Sequence, residues 1–408
     1  MNKKIIYLSY DGMTDILGQS QILSYIIKLS QKGCLFTLIS FEKADKYREF
    51  EPDIRAICAQ YNIRWIPLMY SKRPPVLSTV WDVFKLGKQL RKSIQNDGCD
   101  IIHCRSYLTS LVALKMKRKY GIPFIFDMRG FYADERVEGD LWNLKNPIYR
   151  SVYKYLKKKE LQFIQHSDAI VSLTSAGAEI MKTWWDKDSV ESKLTIIPCA
   201  ADFDLFELRS PEKQNICRQN LGIPNDSLVI TYLGTMGTWY LFEEIIYFFS
   251  WFKKKEPKAK FLMISPNKRE QVLNVTNKYK LSPQDVFVHF AKRQEVSNFL
   301  EASDLGIFFI KPSFSKKSSS PTKLGEMLAK GIPVLTNSGV GDVDQILKDL
   351  DCGIALEQIE EPFLEQKKKE IFDLLNKDSA EIRKNARSYF DLDEAAEKYL
   401  QIYNRILG

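Results

Sequence analysis

The chain has 408 residues, 45% of them hydrophobic and 12% aromatic, and its 60 basic and 51 acidic side chains give a formal net charge of +9. This length exceeds one compact core, so we expect two domains. The mild basic excess favours an anionic partner and leaves nucleic acid, a membrane surface and a phosphorylated small molecule as alternatives. Seven scattered cysteines without a CxxC pair indicate no zinc site and favour a reducing, cytoplasmic setting.

Short apolar runs alternate with longer helical patterns along the chain, which is typical of parallel βαβ units. The run at 5–9 is too short for a signal peptide and predicts the first strand, and no later run reaches transmembrane length. The other strands are predicted at 36–41, 64–67, 101–104, 124–127, 169–173, 195–197, 229–233, 260–264, 286–290, 305–310, 334–336 and 353–355. A boundary near 198–218 divides them into two open sheets, with ligands expected at the carboxyl ends of the strands.

The loop after the first predicted strand, 10–21, contains glycines but no GxGxxG, so a dinucleotide site is not supported. Gly18 precedes a helix and lets a substrate approach the backbone closely, with Asp11 and Gln19 in the same loop. A plain strand-to-helix connection is the alternative.

Polar residues also follow two later strands of the first half. His103 and Arg105 end one strand, and Arg129 follows the next, so both arginines open on the same sheet edge and are suited to anionic groups. A structural role is the alternative for the histidine. Asp134 and Glu135 are candidates for a general base or for orienting a sugar hydroxyl, and pairing with nearby arginines is the alternative.

Basic clusters at 85–92, 115–119 and 157–159 lie on predicted helices of the first half, beside aromatic residues. They are either solvated faces or a membrane-contacting surface. Nucleic-acid binding is disfavoured, because no known binding module appears.

In the second half, Gly234 and Gly237 follow the first strand, with Thr235 and Thr238 beside them. Two glycines with hydroxyls suit the close approach of a diphosphate. A turn without a ligand is the alternative.

Residues 318–334 predict a loop, a helix that ends at a glycine, and a buried strand. Ser320 is a natural N-cap and Pro321 fits the first helical position. The N-terminal end of such a helix attracts anions. Lys323 and Glu326 share a helix face and are suited to a phosphate and a ribose hydroxyl. An ordinary capped helix with an exposed Lys–Glu pair is the alternative.

The segment 392–407 places apolar residues at helical spacing and predicts a long amphipathic helix. No His, Cys, Asp or Glu cluster has metal-ligand spacing, so we expect a metal-independent site. With three histidines in the chain, acid–base chemistry is expected mainly from carboxylates, arginine or a substrate phosphate.

Taken together, these segments resemble the family-4 class of GT-B retaining glycosyltransferases, a group that includes many bacterial polysaccharide-assembly enzymes. The resemblance runs from Tyr10 to the final helix. Its most specific parts are YDGMTD at 10–15, LGQSQ at 17–21, FDMRG at 126–130, IPCAAD at 197–202, SPTKLGE at 320–326 and GIPV at 331–334.

The resemblance implies an α/β fold of GT-B architecture, with two Rossmann-like parallel-sheet domains facing a cleft. Residues 1–200 would bind the acceptor, with a C-terminal helix at about 390–408 packing back on them, and residues 201–389 would bind the nucleotide-sugar. The implied reaction moves a sugar from a UDP- or GDP-linked donor to a glycan or lipid-linked acceptor, with retention, in cell-surface polysaccharide assembly. No other cofactor is implied. The place of action is the cytoplasm, including contact with anionic membrane at the inner face of the plasma membrane.

A sugar-nucleotide epimerase of the same fold and a non-catalytic nucleotide-sugar-binding protein are the alternative functions. Catalytic roles are expected for Lys323, Arg129 and Glu326. The implied donor-binding residues are Gly234, Thr235, Gly237, Thr238, Ser318, Ser319, Ser320, Pro321, Thr322, Lys323 and Glu326. The implied acceptor-binding residues are Asp11, Gly18, Gln19, His103, Arg105, Arg129, Asp134 and Glu135.

The chain departs from the family pattern at three places. Glu326 matches the second glutamate of the E-x7-E motif, but the first falls at Ser318. The basic pair that usually follows Gly234 is absent, so Lys323 and its helix are expected to neutralise more of the diphosphate. The histidine common after the strand at 124–127 is replaced by Met-Arg-Gly, so histidine-assisted catalysis is not expected, and help from Arg129 with the diphosphate is the alternative to Lys323, Thr238 and the helix N-terminus.

Overall fold

Parallel strands alternate with helices along the chain, and the computed structural model describes residues 3–408. The chain divides into two compact units, of which unit 1 comprises residues 1–198 and 392–408 and unit 2 comprises residues 199–391. The predicted fold class, two Rossmann-like parallel-sheet domains, is confirmed.

Within the described chain, the strands of unit 1 form one seven-stranded parallel sheet of order β3-β2-β1-β4-β5-β6-β7. The strands are β1 (Lys3–Leu8), β2 (Cys34–Glu42), β3 (Arg64–Met69), β4 (Ile101–Arg105), β5 (Phe124–Asp127), β6 (Ala169–Ser172) and β7 (Leu194–Ile196). The strand order reverses between β1 and β4, where Ile5 pairs with Ile101. In doubly wound sheets, the crevice at the carboxyl end of this switch point is where ligands bind.

The helices of unit 1 are α1 (Ile16–Gly18), the π-helical segment Gln19–Leu23, α2 (Ser24–Gln31), α3 (Ala44–Gln60), α4 (Leu77–Asp97), α5 (Ser106–Tyr120), α6 (Tyr132–Glu138), α7 (Pro147–His166), α8 (Ser175–Lys182), α9 (Lys187–Glu191) and α18 (Leu392–Leu407). The last of these packs against α2. Two ion pairs of 2.9 Å, Lys28–Asp393 and Lys32–Glu397, join their exposed edges.

The sheet of unit 2 has six described strands in the order β10-β9-β8-β11-β12-β13. They are β8 (Val229–Leu233), β9 (Lys260–Ile264), β10 (Val286–His289), β11 (Leu305–Phe308), β12 (Val334–Asn337) and β13 (Gly353–Leu356). The helices are α10 (Pro211–Leu221), α11 (Phe242–Lys255), α12 (Arg269–Thr276), α13 (Val296–Leu300), α14 (Thr322–Ala329), α15 (Val343–Asp349), α16 (Glu361–Asp373) and α17 (Ser379–Phe390), with 3₁₀ segments at Asn277–Tyr279, Pro283–Asp285, Ser315–Ser318 and Leu374–Asn376.

Helices cover both faces of each parallel sheet, so the central strands are buried and read as continuous apolar runs. In unit 2 the core is rich in aromatic residues, because α11 buries Phe248, Phe249, Trp251 and Phe252. Among residues 3–408, no helix has both the length and the apolar character to cross a membrane.

Candidate active site

In unit 2, the loop after β8 lies against the side chain of Lys323. Gly234 has φ of +139°, and a Cβ atom built there would lie 2.6 Å from Lys323 Nζ. This backbone conformation and this close approach both require glycine. Hydrogen bonds hold the loop: Tyr232 Oη donates to the Thr235 carbonyl at 2.7 Å, and the Met236 N–H donates to Asn267 Oδ1 at 2.9 Å. The structure therefore brings the glycine loop and α14 together.

Lys323 is a buried lysine whose ammonium group lies against aromatic rings. Its side chain is 7% exposed, and Nζ has no hydrogen-bond partner among residues 3–408. The ammonium lies 3.9 Å from the ring centroid of Tyr240 and 4.6 Å from that of Tyr232. Burial lowers the pKa of Lys323 to about 7, against the opposing effect of the Glu326 charge. Because a buried ammonium without a partner is unfavourable, this position is suited to an anion entering the loop.

Helix α14 begins at Thr322, so the predicted N-cap at Ser320 is wrong. Pro321 occupies the N-cap position and no side chain caps the helix. Ser320 Oγ instead accepts a hydrogen bond from the Cys199 N–H at 3.1 Å. Helix geometry leaves the first N–H groups of α14 without intrahelical acceptors, so its N-terminus keeps the capacity to bind an anion. The helix ends at Ala329, before Gly331 with φ of +71°.

Glu326 is buried beside Arg293, a residue that the sequence analysis missed. Arg293 Nη1 donates to Glu326 Oε1 at 2.5 Å, and the guanidinium lies 4.9 Å from the ring centroid of Phe206. The exposed Lys–Glu pair considered as an alternative is therefore wrong, because both side chains of that pair are buried. Arg293 lies in a polar loop after β10. Its position after a strand is the one feature of the sequence that could have indicated a role at the site.

The remaining donor candidates occupy two kinds of position. Thr235, Gly237 and Thr238 are exposed in the loop after β8, while Ser319 and Thr322 are partly exposed at the start of α14. Ser318 differs from them, since it is 2% exposed and its Oγ donates to the Ser315 carbonyl at 2.8 Å.

A second cation–aromatic pair joins the loop after β8 to the 3₁₀ segment Ser315–Ser318. Lys316 Nζ lies 3.8 Å from the ring centroid of Trp239, which follows Thr238. This pair was also missed, because a lysine in a serine-rich turn has no spacing signal.

In unit 1, the buried carboxylate of Glu42 organises the loop after β1. It accepts hydrogen bonds from Met13 N, Thr14 N, Thr14 Oγ1 and Ser40 Oγ at 2.9, 3.1, 2.6 and 2.5 Å. A Cβ at Gly12 would lie 2.6 Å from Glu42 Oε2. Glu42 was missed because it ends a strand with no motif around it.

Gly18 packs against the loop itself. A Cβ there would lie 1.9 Å from the Gly12 carbonyl oxygen, so this backbone packing requires glycine at position 18. Gln19 is partly exposed at the start of the π-helical segment, and Asp11 lies in the loop.

Arg105 and Arg129 meet at the carboxyl edge of β4 and β5. Arg105 Nε donates to Asp11 Oδ2 at 3.0 Å, and Arg129 Nη2 donates to Gln21 Oε1 at 3.4 Å. Arg129 also lies 4.0 Å from Asp127 Oδ1 and has φ of +57°. A positive φ at a residue other than glycine is characteristic of functional positions that the surrounding structure holds in place.

His103 belongs to a buried network that attaches α18 to the sheet. Its Nδ1 lies 2.7 Å from Tyr403 Oη, and its Nε2 lies 3.5 Å from Asp127 Oδ2, which also accepts from Tyr399 Oη at 3.0 Å. Burial lowers the pKa of His103, so the ring is neutral at physiological pH. The structure therefore favours the structural alternative over the predicted acceptor contact.

Asp134 and Glu135 occupy the first turn of α6. Asp134 is buried and accepts from Tyr153 Oη at 2.8 Å and from Lys157 Nζ at 2.9 Å. These partners on α7 contradict the arginine pairing considered as the alternative, since Asp134 links two helices and pairs with neither Arg129 nor Arg136. Glu135 is partly exposed.

The described residues contain no group of three or more His, Cys, Asp or Glu side chains that could hold a metal ion.

Two family models match the chain. Residues 19–205 match the model described as Glycosyltransferase Family 4, and residues 213–389 match the model described as Glycosyl transferases group 1. A curated relative, the D-inositol 3-phosphate glycosyltransferase of Stackebrandtia nassauensis, is 27% identical over 135 residues. The aligned part is 33% of this chain and 28% of that protein.

Solved structures share the fold at low identity. Sucrose-phosphate synthase from Thermosynechococcus elongatus superposes with a TM-score of 0.72 at 13% identity over 99% of both chains. HepE of Anabaena, solved in complex with UDP-glucose, has a TM-score of 0.70 at 12% identity over 98% of this chain and 99% of that one. UDP-GlcNAc 2-epimerase from Neisseria meningitidis has a TM-score of 0.58 at 14% identity over 99% of this chain and 100% of that one. At such identities the likeness shows the fold.

Proposed function

We propose that this chain, which belongs to the family-4 glycosyltransferases of the GT-B type, moves a sugar from a UDP- or GDP-linked donor to a glycan or lipid-linked acceptor with retention of configuration. The observation that carries the donor half of the proposal is the buried Lys323 ammonium against Gly234. The complex of HepE with UDP-glucose supports a uridine donor.

The diphosphate of the donor binds at the N-terminus of α14, in the loop at Gly234. Lys323 contributes a full positive charge there, and Thr238 and the helix N–H groups contribute hydrogen bonds. Since the pKa of Lys323 is about 7, the approach of the diphosphate favours the protonated form. Lys323 thus takes the place of the basic pair that is absent after Gly234.

The Glu326 carboxylate accepts hydrogen bonds from the hydroxyl groups of the donor ribose. Its carboxylate is held by Arg293 at 2.5 Å, which fixes the side chain in one orientation and balances its charge inside the unit. Arg293 is therefore a positioning residue for the ribose contact.

Transfer proceeds at the front face of the donor sugar. The bond from the anomeric carbon to the diphosphate breaks, the bond to the acceptor oxygen forms, and the acceptor proton passes to the departing diphosphate. This route depends on stabilising negative charge as it develops on the leaving group, which is the role of Lys323. A double displacement would require a carboxylate on the opposite face of the sugar.

Unit 1 supplies the acceptor contacts. The guanidinium groups of Arg105 and Arg129 lie at one sheet edge, where they bind an anionic group of the sugar acceptor. Asp11 accepts a hydrogen bond from a hydroxyl group of the same substrate. We place the reaction in cell-surface polysaccharide assembly, in the cytoplasm and at the inner face of the plasma membrane.

The donor site is tested by Lys323→Ala and Glu326→Ala, assayed for sugar transfer and for nucleotide binding by calorimetry. Both variants should lose at least tenfold in transfer, the range typical of a lost charge-assisted contact. Lys317→Ala, an exposed lysine of the neighbouring turn, is the matched control. Wild-type transfer and binding in both test variants would refute the assignment.

The reaction class is tested with a panel of nucleotide-sugars, with and without acceptors. Nucleotide release that requires an acceptor identifies a transferase. Release or sugar inversion without an acceptor would indicate an epimerase, which the two glycosyltransferase models do not favour. Binding without release would indicate the non-catalytic alternative.

A further inference from the structure

Unit 1 contains a groove of about 640 Å³ that none of the residues assigned to sugar transfer lines. Its walls come from α4, α5 and the segment from α6 to α7, and they are mainly apolar. The apolar residues include Val83, Leu108, Leu111, Met116, Val152 and Leu156. The volume lies within the range of small-molecule sites, which is about 300–1,000 Å³.

The two lips of the groove expose large apolar side chains. On α4, Val80 and Phe84 line one lip and are 61% and 55% exposed, and Leu77 and Trp81 extend this exposed apolar surface along the same helix. On the other lip, Leu141 and Tyr155 are 55% and 50% exposed. Contiguous apolar residues of this size on a surface mark an interaction site.

The charged residues of the groove all have the same sign. Lys72, Arg91, Lys115 and Arg136 line it, and the described lining contains no Asp or Glu. An apolar interior with basic residues around it complements a molecule that has a hydrocarbon chain and a phosphate group.

One end of the groove reaches the carboxyl edge of the sheet, where we place the acceptor. Its lining includes Tyr10, Tyr70 and Tyr132, which follow β1, β3 and β5 respectively. The carboxyl ends of parallel strands share one edge, so this end of the groove opens beside Asp11 and the two arginines.

This tyrosine cluster is anchored by a buried carboxylate. Tyr10 Oη and the Ser71 N–H both donate to Asp82 Oδ2, at 2.9 and 3.0 Å, and Asp82 is fully buried on α4. The shape of the groove is thus fixed by polar contacts beneath its apolar surface.

We infer that the groove binds the hydrocarbon chain of a phosphate-bearing lipid acceptor, with the phosphate at Lys72 and Arg136, the basic residues of the tyrosine end. The inference rests on the proposed transfer reaction and narrows its acceptor to a lipid-linked one. The hydrocarbon chain of the lipid lies between α4 and α7, and the saccharide of the acceptor extends from the tyrosine end towards Arg105 and Arg129.

The test uses the full chain and measures binding of inorganic phosphate, geranyl phosphate and farnesyl phosphate by calorimetry. Each methylene group removed from water contributes about fourfold in affinity, so farnesyl phosphate should bind at least about tenfold more tightly than geranyl phosphate. Equal affinity for the three probes would overturn the inference.

Two variants locate the binding. Gly87→Leu fills the groove, since a Cβ there would meet Val112 Cγ1 at an ordinary 3.5 Å, and leucine favours the helix. This variant should abolish the dependence of affinity on the length of the hydrocarbon chain. Nucleotide binding and thermal stability should stay as in the wild type. Arg136→Gln should weaken the binding of both lipid phosphates severalfold, whereas Arg118→Gln, exposed on α5 outside the groove, should not. Unchanged chain-length dependence in Gly87→Leu would overturn the inference.

A flotation assay separates lipid-chain binding from surface adsorption. If the wild type floats with vesicles of phosphatidylglycerol and phosphatidylcholine but does not bind soluble farnesyl phosphate, the face is only a membrane surface and the inference fails. Transfer to a soluble glycan without any effect of a lipid chain would also refute the inference and leave the proposed function intact. Chain-dependent binding of farnesyl phosphate without nucleotide-sugar binding would retain the lipid site and refute the transfer reaction.

Discussion

The affinity of this chain for a nucleoside diphosphate should fall as the pH rises above 7, because we propose that the Lys323 ammonium is the charge that binds it. Burial lowers the pKa of this side chain to about 7 in the free protein. Between pH 7 and pH 9 the protonated fraction therefore falls from about one half to about one hundredth. If only the ammonium binds the diphosphate, the affinity falls about fiftyfold over this range.

The same reasoning predicts proton uptake on binding. The bound diphosphate raises the pKa of Lys323, so the complex should take up about half a proton at pH 7 and nearly one proton at pH 8. Calorimetry of UDP binding in buffers of different ionisation enthalpy measures this uptake. Lys323→Met is the control that should abolish it, and Lys323→Arg should bind UDP with a weaker pH dependence. A flat affinity profile in the wild type, or equal uptake in Lys323→Met, would refute the role of this lysine.

Three further predictions concern stability and site geometry. Lys323→Met should raise the free energy of unfolding without ligand by about 1–3 kcal/mol at pH 7, because it removes a buried group without a hydrogen bond. Urea denaturation should show this gain shrink towards pH 10.5, where the unfolded chain also loses the proton; a gain independent of pH would contradict it. Glu42→Gln should lower the free energy of unfolding, measured by urea denaturation, by about 1–3 kcal/mol. Glu49→Gln, at an exposed residue on α3, is the control and should leave this free energy unchanged. Equal effects of the two substitutions would argue against the contacts of Glu42 with the loop after β1. Arg293→Ala should weaken UDP binding severalfold more than deoxyuridine diphosphate binding, and equal losses in calorimetry would argue against a ribose contact through Glu326.

Much of the fold follows from the sequence, because buried parallel strands are continuous apolar runs and helices between them repeat every three or four residues. The juxtaposition of Gly234 with Lys323 was also predictable, since both follow strands of one parallel sheet. The N-cap was wrong for a physical reason. Ser320 has the right residue type and place, but the N–H of Cys199 competes for its hydroxyl.

The residues that were missed share one property. Glu42 and Arg293 act through partners 29 and 33 residues away along the chain, and neither lies in a periodic pattern or a motif. The alternative for Asp134 paired it with arginines near it in sequence, whereas its observed partner Lys157 lies on the next helix. Local spacing reports the face of a helix or strand, but it does not report which loop meets that face.

The return of α18 to unit 1 has a consequence for the order in which the protein forms during translation. His103 contacts Tyr403, 300 residues later in the chain, so the polar network under Asp127 and Arg129 cannot close until α18 has left the ribosome. Unit 2 is continuous from 199 to 391 and contains all of its own strands. A nascent chain can therefore complete the unit that holds Lys323 while the other unit still lacks its last helix, and the unit that we propose to bind the acceptor closes only after synthesis has passed Tyr403.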